Sequence, residues 1–70
     1  MTEVRAHITG TVWKVLVREG ESVREEQTIL ILESMKMEMP VESPGDGAIA
    51  RLHVSEGQAV EEGDLLATLD

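Results

Sequence analysis

The chain has no cysteine, tyrosine or phenylalanine, and Trp13 is its only aromatic residue. Without cysteine there can be no disulfide framework and no thiolate metal site, which fits a reducing compartment. With one aromatic, any core must be built from Val, Ile and Leu. Cations are also scarce: 6 Lys and Arg stand against 14 Asp and Glu, a net charge of −8. That balance opposes binding to a phosphate backbone, which needs clustered Lys and Arg, so no nucleic-acid partner is expected. No apolar run approaches the roughly 18 residues of a membrane span, so no membrane partner is expected either. Met1-Thr2-Glu3-Val4-Arg5 lacks the positive region and apolar stretch of a secretory signal. A cytoplasmic location is the expectation.

Long helical patterns are missing too. Six glycines, with Pro40 and Pro44, cut the chain into short pieces rich in Val, Ile, Leu and Thr, the composition of strands. The spacing predicts strands near Val4–Ile8, Gly10–Val17, Thr28–Leu32, Glu38–Glu42, Ala48–Val54 and Leu65–Leu69, with short extended pieces around Val23 and Val60. Seventy residues make a single domain, 1–70, which buries only about 60% of its unfolded surface. The acids at turns (Glu19, Glu21, Glu25, Glu26, Glu56, Glu61, Glu62 and Asp64) read as a solvated surface.

What is present is a repeat. Residues 4–33 align without a gap onto 41–70, with eight identities in 30 positions; chance would give about two. The identities include Gly10/Gly47, Val17/Val54, Glu19/Glu56, Gly20/Gly57 and Leu32/Leu69. Both copies carry Gly-x-[Val/Ile]-x-x-[Val/Leu]-x-Val, at 10–17 and 47–54. The spacing of three inside it breaks the strand period of two and predicts a bulge or strong twist. Two similar halves predict one supersecondary unit used twice around a shared core. The expected fold is all-β: a flattened barrel or sandwich of two antiparallel sheets with internal pseudo-twofold symmetry.

Just past the first copy comes Glu33-Ser34-Met35-Lys36-Met37-Glu38, where the symmetry is not repeated. A lysine between two methionines, after the apolar run Ile29–Leu32, predicts an amine on the tip of a hairpin. Lysine offers a flexible stem ending in a nucleophile. Methionine at a tip gains nothing from packing, so Met35 and Met37 read as recognition residues for an adaptable contact. Met39, one position before Pro40, is expected to pack into the core.

His7 and His53 are not repeat mates; they align with Pro44 and Leu16. They read as ordinary surface or strand histidines. Ser34, Ser43 and Ser55 lack a nucleophile motif. No catalytic or metal site is predicted.

Taken together, Glu33-Ser34-Met35-Lys36-Met37, the Glu-Gly turns at 19–20 and 56–57 and the Pro44-Gly45-Asp46-Gly47 segment make the chain resemble a biotinyl domain of the biotin/lipoyl carrier superfamily. The family pattern Glu-Ala-Met-Lys-Met departs here only by Ser34 for alanine, and the resemblance covers essentially the whole chain. It implies a biotin carboxyl carrier that is not itself an enzyme. Lys36 would be the covalent biotin attachment point, and a biotin protein ligase would read Glu33, Ser34, Met35 and Met37. The arm would take a carboxyl group from a biotin carboxylase, which spends ATP and bicarbonate, to a carboxyltransferase acting on an acyl-CoA or similar acceptor. Lipoyl domains usually carry an acid before the lysine and Ala after it, so Met on both sides favours biotin over lipoate. The alternatives are a lipoyl carrier of a 2-oxo acid dehydrogenase system, or an unmodified interaction module of the same fold. The gap-free halves leave no room for the thumb loop of some carriers. With no Pro/Ala-rich tether, the domain is expected to be free-standing.

Overall fold

The computed structural model describes all 70 residues as eight strands and no helix. The strands are β1 (Thr2–Arg5), β2 (Gly10–Val15), β3 (Ser22–Val23), β4 (Thr28–Ser34), β5 (Met37–Glu42), β6 (Gly47–Leu52), β7 (Ala59–Val60) and β8 (Leu65–Leu69). They form two four-stranded antiparallel sheets, ordered β1-β8-β6-β3 and β5-β4-β2-β7. Each sheet mixes strands from both halves, so neither half can bury its apolar face alone.

The 37-residue offset holds pair by pair. Val12 faces Leu32 as Ile49 faces Leu69, Val15 faces Leu30 as Leu52 faces Ala67, and Gly10 faces Val60 as Gly47 faces Val23. The predicted bulges are present at Trp13 and Ala50, where the register slips between Val12 and Lys14 and between Ile49 and Arg51. Fifteen aliphatic residues from both copies form one core. Ile29, Leu30, Leu32 and Leu66 are completely buried in it, as is Val12.

Observed strands differ from the expected ones mainly at their ends. β1 stops at Arg5 because Ala6 turns its backbone to the 63–64 loop: its N–H donates to the Asp64 carbonyl and its carbonyl accepts from the Gly63 N–H. β4 runs on to Ser34 and β5 starts at Met37, so the hairpin is paired right up to its tip. The turn acids are not all mere surface. Glu56 Oε2 accepts from the Val15 N–H and Glu19 Oε2 from the Leu52 N–H, both at 3.0 Å. These donors lie just beyond the bulges, so each half supplies the carboxylate that satisfies the other's distorted strand. Glu21 and Asp64 also accept backbone N–H groups within their own turns.

Gly10 and Gly47 are identical for a steric reason. A Cβ on Gly10 would overlap the Glu33 carbonyl oxygen, and one on Gly47 would overlap that of Asp70. Gly20 has open space around it and needs glycine for its φ of 89°. Gly20→Ala should therefore cost about 1–2 kcal/mol in left-handed strain. Gly10→Ala must move backbone just below the hairpin tip and should cost more, about 3 kcal/mol. Urea unfolding of both variants ranks them; equal losses would mean the close approach is not felt.

Candidate functional site

Lys36 lies at the tip of the β4–β5 hairpin. The last pair below it is Ser34 opposite Met37, so Met35 and Lys36 are the only loop residues. Both take positive φ, 52° and 65°, the signature of a two-residue type I′ turn. Such turns favour Asn-Gly, because the left-handed region costs other residues about 1–2 kcal/mol each. Here the turn holds Met-Lys, so two strained residues are carried at the tip by six cross-strand pairs between β4 and β5. Strain of this kind clusters at functional sites. The residue pattern placed the turn; it gave no sign of the left-handed backbone.

Met35 is 92% exposed and Met37 62%. Lys36 is exposed and forms no ion pair; the single ion pair of the molecule joins Arg5 to Glu3. Glu33 and Glu38 face each other directly across the hairpin, a like-charge juxtaposition that costs some stability. Ser34 is half-buried, with its Cβ close to Gly10. Thus all five residues singled out in the sequence, Glu33, Ser34, Met35, Lys36 and Met37, are gathered at one end of one hairpin.

Met39 corrects an expectation. It shares the inward face of β5 with Val41, but it is only half-buried and lies outside the core. Its mate across the repeat is Thr2, a position where the apolar interior is already running out.

Elsewhere the surface offers little chemistry. No three His, Cys, Asp or Glu side chains converge on a metal-sized site. No helix is long and apolar enough to cross a membrane. The one cleft, of about 320 Å³, lies between edge strands β1 and β5. Its lining includes the mates Val4/Val41 and Arg5/Glu42, so it straddles the pseudo-twofold axis and does not include Lys36.

Because Asn tolerates the left-handed region, Met35→Asn should relax the turn. We expect a gain of about 0.5–1 kcal/mol, or roughly 2–8 °C in melting midpoint for a domain of this size. If Met35 is there for recognition, the same variant should be a poorer ligase substrate. Calorimetry with a labelling assay checks both signs; a drop in stability would show that Met35 packs.

Comparison with known proteins agrees with this geometry. The family described as "Biotin-requiring enzyme" (Biotin_lipoyl) matches residues 2–69. A biotin carboxyl carrier protein from Streptococcus mutans is 45% identical over 64 residues, covering 91% of this chain and 49% of that protein. This chain therefore spans about half the length of the streptococcal relative. A "Biotin carboxyl carrier protein of acetyl-CoA carboxylase" from Solanum lycopersicum is 44% identical over 66 residues, 94% of each chain. Among solved structures, Kluyveromyces lactis urea carboxylase superposes with a TM-score of 0.93 at 30% identity, over 99% of this chain and 6% of that one. The lipoyl domain of the Azotobacter vinelandii 2-oxoglutarate dehydrogenase complex superposes with a TM-score of 0.77 at 35% identity, over 89% of this chain and 78% of that one.

Proposed function

This chain belongs to the biotin/lipoyl attachment family, and on that footing we propose that it is a biotin carboxyl carrier whose attachment residue is Lys36. The observation that carries the reading is the lone amine at a strained, projecting turn between two exposed methionines. An attachment residue must enter a ligase active site, and a two-residue tip with no ion pair holding the ammonium is suited to that.

In the attachment step, the Lys36 amine attacks the acyl carbon of biotinyl adenylate. The amide C–N bond forms, the C–O bond to AMP breaks and the amine loses its proton. No carboxylate is paired with Lys36 as a built-in base. Removing the proton therefore falls to the ligase. Glu33, Ser34, Met35 and Met37 are the residues proposed to be read during this step.

Bound biotin supplies a ring that accepts and releases a carboxyl group. The chain's own part is to hold the arm on a stiff hairpin and to raise its local concentration at partner sites. We assign those partners as a biotin carboxylase and a carboxyltransferase acting on an acyl-CoA or a similar acceptor, in the cytoplasm. The whole of residues 1–70 acts as one non-catalytic carrier domain in this scheme. Lipoate is the competing cargo, since the lipoyl fold is close; the methionines on both sides of Lys36 favour biotin. Intact mass after incubation with a biotin ligase, biotin and MgATP tests the proposal. One biotinyl addition is expected, and an unchanged mass would overturn it.

A further inference from the structure

The internal symmetry supplies a control for every surface position. The two sheets share backbone and register, so a difference between their outer faces is not demanded by the fold. On the lysine-bearing sheet, one outer row runs from the Trp13/Lys14 bulge through Ile31 to Pro40. The mates of Trp13, Ile31 and Pro40 on the other sheet are Ala50, Thr68 and Glu3. Trp13, the only aromatic residue, is 40% exposed, and Pro40 is exposed beside the half-buried Ile31. One sheet thus presents an aromatic and apolar row where its twin is small or polar. Toward the tip, the next row is Thr11, Glu33 and Glu38.

We infer that this outer face, centred on Trp13, Ile31 and Pro40 and edged by Glu33 and Glu38, is where the ligase that modifies Lys36 docks. The inference rests on the attachment reading above. The Ile31–Pro40 pair is three residues below the Ser34–Met37 pair, about 10 Å along the strands. A typical footprint of roughly 800 Å² per partner, placed on a tip this narrow, must extend down one face or the other. The ligase meets the lysine itself, at the end of a four-carbon stem. A later partner need only meet the far end of the arm. The face is therefore assigned to the ligase. Aromatic residues suit interface centres. The facing Glu33 and Glu38, on a chain of net charge −8, call for a Lys/Arg-bearing rim on the partner, which would relieve their repulsion.

The test converts the face to its twin: Trp13→Ala, Ile31→Thr and Pro40→Glu together, each residue already accommodated at the equivalent register. Labelling by a purified biotin ligase is followed as a function of carrier concentration, with Arg51→Ala on the opposite sheet as control. The expected result is a KM raised at least tenfold with kcat within twofold, and a KM for the wild type that climbs with added salt. Should the triple variant unfold, Trp13→Ala alone is expected to raise KM at least threefold. A KM within twofold of wild type in a labelled, folded variant overturns the inference while leaving Lys36 attachment intact. Wild-type self-association that the triple variant abolishes, seen by light scattering, also overturns it by assigning the face to a second copy. Failure to label the wild type at all defeats the attachment reading instead.

Discussion

Lys36→Arg is expected to abolish biotin incorporation completely, and Lys14→Arg to leave it intact. The chain has only these two lysines, so the pair of variants exhausts the amine side chains. Lys14 lies within β2, opposite Ile31, with its ammonium 5.6 Å from the centre of the Trp13 ring. A ligase would have to reach it on the broad side of a sheet. Lys36 stands on a two-residue turn with no ion-pair partner. Arginine keeps charge and length at either position but cannot be deprotonated in a protein. Any loss of labelling in Lys36→Arg is therefore a loss of nucleophile and not of local charge. Streptavidin blotting and intact mass give the readout, with loss of essentially all signal for Lys36→Arg. Signal surviving that change would place the attachment elsewhere and sink the assignment.

The sequence made the architecture readable because the fold uses one unit twice. Gly10/Gly47 and Leu32/Leu69 recur because backbone approach and core position recur with the register. The bulges were readable from the three-residue spacing after each glycine. The hairpin was readable because apolar strand positions stop at Leu32, and Met-Lys-Met cannot continue the core. What was hidden depended on long-range partners. Glu19 and Glu56 look like solvated turn acids until the other half of the molecule brings an unpaired N–H to each. The left-handed tip was hidden because its residues, Met35 and Lys36, are poor choices for such a turn. Glu26, also at positive φ, aligns with Gly63; its conformation follows from the repeated turn and not from its own preference. Met39 was misread because the strand period places it inward, while the core ends before reaching it.

Two residues on the inward side of the same hairpin should differ sharply in their effect on stability, and their burial decides the order. Leu32 has no exposed surface, with Val12 and Met39 opposite it, and sits in a strand flanked on both sides by others. Met37 is 62% exposed, five residues further along the chain. Leu32→Ala removes buried methyl groups and leaves a cavity, at a cost of about 2–5 kcal/mol. A 70-residue domain has roughly 4–10 kcal/mol of stability in total. Leu32→Ala should therefore lower the melting midpoint by about 10–30 °C and leave part of the population unfolded at 37 °C. Leu69→Ala, its repeat mate, is 2% exposed at wild type and should match it to within about 1 kcal/mol, because the same pairing is made in the other sheet. Met37→Ala should cost under about 1 kcal/mol, since it loses only the buried fraction of a contribution of roughly 1.5–3 kcal/mol. Labelling should respond in the opposite order. Leu69→Ala, assayed at a temperature where it stays folded, should label normally, whereas Met37→Ala should label poorly while fully folded. Thermal unfolding and ligase kinetics on the three variants separate these effects. If Met37→Ala melts as early as Leu32→Ala, the methionine is part of the core and its recognition role fails.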